Sequence, residues 1–175
     1  MRIVIVGAGA VGSYLAARLS SEGQDVVVIE SDERHAARLQ ERVDALVIVG
    51  NGASPSSLEE AGIRKADLLI AVSNSDGANA LACHTARTMG VRRTVARIED
   101  QELRSGLPGL GVDVVIDPGE MAAREIIGLI GHSGISDLVE FARGELVLVG
   151  GIVRKHSSMV GATLMHLRSE STWEW

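Results

Sequence analysis

The sequence predicts an α/β fold, a doubly wound parallel sheet followed by the beginning of a small C-terminal α+β subdomain. Three observations carry this expectation. Six short apolar runs alternate with amphipathic stretches of helical period. Only four of the 175 residues are aromatic, so the core is built from Val, Ile, Leu and Ala, as suits parallel strands buried on both faces. After Glu120 the alternation gives way to two neighbouring strand-like runs.

The first run, Arg2 to Val6, feeds Gly7-Ala8-Gly9-Ala10-Val11-Gly12, a G-x-G-x-x-G turn that opens a helix. The first glycine of such a turn permits its tightness, the second lets backbone approach a pyrophosphate, and the third lets the helix lie close on the strand. Val11, Leu15 and Leu19 share one face of that helix, which ends at Gly23. A second strand, Asp25 to Ile29, delivers Glu30 at its tip. Together these parts form a Rossmann-like βαβ unit with an adenine dinucleotide or nucleotide as its expected ligand. The phosphates would lie at the positive end of the first helix, and Glu30 could accept hydrogen bonds from both ribose hydroxyls. A 2′-phosphate there would meet like charge, so NAD(H) or an adenosine nucleotide is favoured over NADP.

The remaining strands are expected at Ala45 to Val49, Leu68 to Val72, Thr94 to Ile98 and Val114 to Ile116. Ser54-Pro55 reads as an N-cap followed by proline at the first helical position, with Gly62 ending that helix. Asp76 is expected to cap the next helix, which closes at Gly90. Ligands of such sheets bind at the carboxyl ends of the strands, near the reversal of strand order. The loops to inspect are therefore Glu30-Ser31, Gly50 to Ser54, Ser73 to Asp76, Arg97 to Asp100 and Asp117 to Glu120. Ordinary turn chemistry accounts for any one of them equally well. Arg97 stands apart, because a guanidinium at the end of an apolar strand needs an anion. A ligand phosphate, Glu120, or a local salt bridge to Glu99 or Asp100 would each serve.

Beyond Glu120 a helix from Met121 to Leu129 is expected, then a turn at Gly131-His132-Ser133-Gly134. Ile135 to Ala142 and Glu145 to Val153 read as a hairpin about Arg143-Gly144. A short helix within Ser157 to Leu167 precedes Trp173-Glu174-Trp175. The expected division is a nucleotide-binding domain over 1–132 and a partial subdomain over 133–175.

Composition narrows the function. A net charge of −6 argues against general affinity for nucleic acid. The single cysteine, Cys83, excludes an internal disulfide, and neither it nor the histidines show metal-ligand spacing. The uncharged run Ile3 to Ala17 is broken by glycines and too short to span a bilayer, and no export signal precedes it, so the chain reads as cytoplasmic. No histidine falls in a post-strand loop of the first domain, and Asp67 and Asp76 read as helix-end residues. A nucleotide pocket without a visible acid, base or nucleophile beside it points to sensing; the competing reading is a fragment of an NAD-dependent oxidoreductase lacking its catalytic domain.

A family resemblance agrees with this reading. Met1 to Gly12, Glu30-Ser31-Asp32, Gly50-Asn51-Gly52-Ala53-Ser54, Glu60-Ala61-Gly62, Ala66-Asp67, Ala71 to Asp76 with Asn79, and Val95-Ala96-Arg97-Ile98 resemble the TrkA family. Its members are regulatory proteins of potassium uptake systems, built on the RCK or KTN nucleotide-binding domain. The resemblance covers residues 1–130. Ser158 to Leu164 is similar to a segment of the family's C-terminal ligand-binding subdomain, near whose middle the chain stops.

The resemblance implies a non-enzymatic cytoplasmic subunit, peripheral to the inner face of the membrane. It would be a homodimer in a higher ring beneath a membrane potassium transporter or channel, biased by NADH against NAD or ATP against ADP. By position it implies that Gly7, Ala8, Gly9, Ala10, Val11 and Gly12 hold the diphosphate and that Glu30, with Ser31 beside it, holds the ribose. Asn51, Gly52 and Ala53 would border the adenine, Ser73 and Asn74 the far ribose or phosphate, and Arg97 a phosphate. Ser13 stands where some ATP-regulated relatives carry an arginine, which leans this chain toward NAD(H). No metal is implied.

Overall fold

The computed structural model describes residues 1–131, 135–141, 146–157 and 159–170. The chain forms two compact units, Met1–Gly119 and Glu120–Trp175.

The first unit is a six-stranded parallel sheet. Its strands are β1 (Arg2–Val6), β2 (Asp25–Glu30), β3 (Leu46–Val49), β4 (Leu68–Ala71), β5 (Arg93–Arg97) and β6 (Val114–Ile116), in the order β3-β2-β1-β4-β5-β6. The chain winds outward from β1 to β3, returns to the middle, and winds the other way from β4 to β6, so the order reverses between β1 and β4. Val4 pairs with Val27 on one side and Leu69 on the other. Helices α1 (Ala10–Ser21), α2 (Glu33–Gln40), α3 (Pro55–Glu60), α4 (Asp76–Thr88) and α5 (Gln101–Arg104) fill the connections.

Alternation along the strands divides the core into two layers. Val4, Val6, Val27 and Ile29 pack with Leu58 of α3 and Ala82, Cys83 and Ala86 of α4. Ile3, Ile5, Val26 and Val28 pack with Ala16 of α1 and Leu39 of α2 on the opposite face. Each such aliphatic side chain, fully buried, contributes about 1.5–3 kcal/mol. Burial also pushes the Cys83 thiol up to about 12, which leaves it a packing residue.

The strands fall within one residue of the expected ends, and two caps differ. Ser75, not Asp76, caps α4, its hydroxyl accepting the Ala78 N–H at 3.3 Å. Asp76 is the first helical residue, and its Oδ2 accepts the N–H groups of Glu99 and Asp100, each at 2.8 Å. The α4 start is thereby tied to the loop after β5. Ser54 precedes Pro55 at the start of α3 as expected, but its side chain makes no capping bond and pairs instead with the Ser56 hydroxyl at 2.8 Å.

In the second unit, α6 (Pro118–Gly131, its first residues lying in the first unit) is followed by β7 (Ile135–Phe141), β8 (Leu146–Gly151) and α7 (Leu164–Glu170). Helix α6 begins three residues before the expected Met121, because Pro118 suits a first turn. The two strands form the expected antiparallel pair, with Leu138 opposite Val149. Helix α7 starts within the expected range, after Gly161 at φ +80°, and runs three residues past Leu167, with the Thr163 hydroxyl accepting the His166 N–H. The expected turns at 132–134 and 143–144, Ser158, and Trp173 to Trp175 lie outside the described residues.

Candidate functional site

At the carboxyl edge of the sheet, over the divergence of β1 and β4, lies a cleft of 510 Å³. It is lined by the ends of β1, β2, β4 and β5 and the loop after β3. Gly7, Gly9, Ala10 and Val11 form one wall, Glu30 and Ser31 a second, Asn51, Gly52 and Ala53 a third, and Ser73, Asn74 and Arg97 the last. Twelve of the fourteen expected residues therefore meet in one place. Ala8 and Gly12 are absent from the lining: the Ala8 N–H is bonded to Glu30, and Gly12 is buried between α1 and the glycine turn.

Most of these glycines answer to the protein's own packing. Gly7 has φ +99°, and a Cβ there would lie 2.9 Å from Ser73 Cα. A Cβ at Gly12 would lie 1.8 Å from the Gly7 carbonyl oxygen, and one at Gly52 would lie 2.1 Å from a Val6 methyl. Gly52 is thus held by packing against β1, whatever borders it on the cleft side.

Gly9 is different. Its φ is −67°, which any residue adopts, and a Cβ there would meet nothing within 4 Å. Gly9 lines the cleft at the start of a twelve-residue helix that has no side-chain cap. Backbone N–H groups in such a first turn lack intrahelical partners and favour an anion. A glycine that neither backbone nor packing demands, beside uncovered donors, fits the diphosphate of a nucleotide. Ser13 donates its hydroxyl to the Ala8 carbonyl at 2.8 Å.

Glu30 is 9% exposed. Its Oε2 accepts the Ala8 N–H at 2.5 Å, and its Oε1 accepts the Asp32 N–H at 2.9 Å and the Ser31 hydroxyl at 3.2 Å. Burial pushes its pKa up, but the N–H groups of Asp32 and Ala8 and the Ser31 hydroxyl outweigh it, so the carboxyl titrates below its ordinary value. The group is a fixed negative charge. Its first partners are the protein's own donors, which leaves remaining lone pairs for a ribose.

Opposite, Asn79 of α4 is fully buried. Its Oδ1 accepts the Ser73 N–H and hydroxyl, at 2.9 and 2.7 Å, while its Nδ2 donates to the Ser73 and Arg97 carbonyls, at 3.1 and 2.9 Å. One amide thus joins the loop after β4 to the end of β5. Asn79 was part of the recognised sequence pattern without a role; a polar residue on the buried face of a helix is the signal that marks it. Arg97 reaches the cleft and forms an ion pair with Glu99, Nε lying 2.8 Å from Oε1. The local salt bridge is therefore the anion it has found. Asn51 closes its own turn, Oδ1 accepting the Ala53 N–H at 3.0 Å.

The titratable side chains of the cleft are Glu30, Asp32, His35 and Arg97. Asp32 and His35 enter from α2, where Asp32 caps the helix by accepting the His35 N–H; the sequence reading did not assign them to the site. Glu30 is engaged, Asp32 is capping and Arg97 is paired. Such an arrangement can hold a ligand by backbone donors and small polar groups. Among the described residues, no cluster of three or more His, Cys, Asp or Glu could hold a metal ion, and no helix is long and apolar enough to cross a membrane.

The sequence matches the TrkA-N domain family over residues 3–118. It is 36% identical over 161 residues to a Trk system potassium uptake protein TrkA homolog of Methanothermobacter thermautotrophicus, covering 92% of this chain and 74% of that one. It is 36% identical over 174 residues to the Trk system potassium uptake protein TrkA of Halomonas elongata, covering 96% of this chain but only 38% of the longer protein. Among solved structures, the GsuK channel bound to NAD superposes with a TM-score of 0.67 at 21% identity, over 80% of this chain and 25% of that one. At that identity the likeness is one of fold.

Proposed function

The chain belongs to the TrkA-N domain family, and from that premise we propose that it is a nucleotide-sensing regulatory subunit of potassium uptake. It would gate a membrane transporter or channel through an NAD(H)- or ATP/ADP-dependent conformational change. The observation that carries the reading is the open space over Gly9 at an uncapped helix start, in a cleft that also gathers Glu30, Asn51, Ser73, Asn74 and Arg97. TrkA relatives named for potassium uptake and a fold neighbour named as NAD-bound support it. The oxidoreductase reading is not favoured by relatives of that kind.

In this proposal the α1 N-terminus and the turn Gly7 to Gly12 hold the diphosphate. Glu30, beside Ser31, holds the adenosine ribose, and Asn51, Gly52 and Ala53 border the base. Ser73 and Asn74 meet the far end of the ligand, where Arg97 exchanges Glu99 for a phosphate. The ionised Glu30 favours NAD(H) over its 2′-phosphorylated form. Residues 1–132 act as the sensing domain and 133–175 as part of an effector subdomain. The protein catalyses no reaction; it works in the cytoplasm as a homodimer within a larger ring, bound to the membrane through its potassium-conducting partner.

A ligand shifts a conformational equilibrium only by its differential affinity for the two states, and a coupling of about 1–3 kcal/mol suffices for regulation. Mass spectrometry of the ligand retained by the purified protein tests the reading. An adenine nucleotide is the expected result, and a protein that neither retains nor takes up any adenine nucleotide would overturn it.

A further inference from the structure

Asp117 follows β6 at the same edge of the sheet as the cleft, yet it does not line the cleft. A continuous set of bonds joins the two. Arg97 lines the cleft and pairs with Glu99. The N–H groups of Glu99 and Asp100 are held by Asp76, and the Asp100 carboxylate caps α5, accepting the Glu102 and Leu103 N–H groups at 2.8 and 3.3 Å. From the last residue of that helix, Arg104 turns back. Its Nε and Nη2 donate to the Ile98 carbonyl at 3.2 and 3.0 Å, and Nη2 also pairs with the Asp117 carboxylate.

Ile98 is fully buried, and its N–H donates to the Ile116 carbonyl at 3.0 Å. The residue next to Arg97 therefore holds the end of β6 twice, once through backbone and once through Arg104. The second link is well shielded. The Asp117 side chain is 16% exposed, whereas the carboxylates that meet Arg2, Arg87 and Arg97 are 39–57% exposed. A planar guanidinium in such a place fixes direction as well as charge, and solvent screens it less. Asp117 immediately precedes Pro118, which opens α6, the helix on which the chain passes from the first unit to the second.

We propose that Arg104 is a positioning residue that carries the state of the cleft to the start of α6 through Ile98 and Asp117. The proposal rests on the nucleotide reading above and deepens it by naming the side chains through which regulation leaves the sensing unit. When a ligand phosphate draws Arg97 from Glu99, the segment 97–100 resettles. Ile98, bonded to Ile116 on one side and to Arg104 on the other, then shifts Asp117 with it. Without the guanidinium only the neutral backbone bond to Ile116 joins them, and the charge-assisted link is lost. Arg104 and Asp117 lie outside the cleft lining, so their removal separates transmission from binding.

The test is amide hydrogen exchange over residues 114–124 of the full chain, wild type, R104Q and D117N, with thermal melting as the check on folding. Each is measured free and saturated with whichever of NAD, NADH, ADP and ATP binds the wild type most tightly by calorimetry. We expect the nucleotide to change exchange there at least about fivefold in the wild type and less than about twofold in each variant, while affinity holds within about threefold. The double variant R104Q/D117N should behave as either single one does, because both break one link. A merely structural role would shift exchange equally with and without nucleotide and leave the ligand-dependent change intact; that result overturns the proposal. So does a wild type that binds nucleotide without any change over 114–124, and in both cases the nucleotide reading stands. An affinity loss above about tenfold in either variant would place these residues in the binding machinery and overturn the positioning role. No binding of any of the four nucleotides would overturn both readings. If R104Q melts early, D117N carries the same readout.

Discussion

The Glu30 carboxylate accepts the Ala8 backbone N–H at 2.5 Å, joining the tip of β2 to the middle of the glycine turn. The acidic residue that reads as a ribose ligand is thus also the brace of the phosphate turn. Its charge serves both tasks, because a charge-assisted bond from backbone N–H is stronger than a neutral one.

This brace makes stability depend on pH. The folded-state pKa of Glu30 lies below its ordinary value, so its contribution is fully present above the usual carboxylate range and is lost as pH falls through the folded value. Glu30→Gln should therefore melt earlier than the wild type at pH 7, by about 1–2 kcal/mol, and the gap should narrow below pH ~4. Thermal melts across pH 3–7 measure it; a gap that widens in acid would show that the charge is not what matters.

Gly9 and Gly12 separate ligand space from packing space. Gly9→Ala should change stability by no more than about 1 kcal/mol while weakening nucleotide binding at least about tenfold. Gly12→Ala, whose Cβ would strike the Gly7 carbonyl, should cost about 3 kcal/mol or more. Denaturant melts and titrations on both variants check the pair, and equal destabilisation by the two would refute the distinction.

Asn79→Ala removes four hydrogen bonds and strands the Ser73 N–H. A loss of about 2–4 kcal/mol is expected, together with faster amide exchange at Ser73. Hydrogen exchange read residue by residue would expose the error if Ser73 stayed protected.

Arg97 must leave Glu99 to meet a ligand phosphate. Glu99→Gln should therefore tighten nucleotide binding severalfold, while altering stability by less than about 1 kcal/mol, as befits a partly exposed pair. Titration of that variant decides it; weaker binding would mean that Glu99, not Arg97, contacts the ligand.

The fold was legible because each strand is a short aliphatic run bounded by turn residues, and because burial on both faces leaves no polar alternation to confuse with surface strands. The glycine turn and Glu30 were legible through their spacing. What the sequence could not disclose is who holds whom. The Glu30 bond to Ala8 and the four bonds of Asn79 depend on tertiary approach between segments 6 to 22 residues apart in sequence. The cap of α4 fell one residue early, because Ser75 and Asp76 are both good caps and only the nearby N–H groups of Glu99 and Asp100 divert the aspartate.

Equilibrium titration of the purified chain with NAD, NADH, ADP and ATP decides whether the cleft is a sensor. We expect saturable binding, weakened at least about tenfold by Gly9→Ala, with at least about fivefold discrimination within the NADH/NAD or the ATP/ADP pair. Four flat titrations, or four equal affinities, would contradict it.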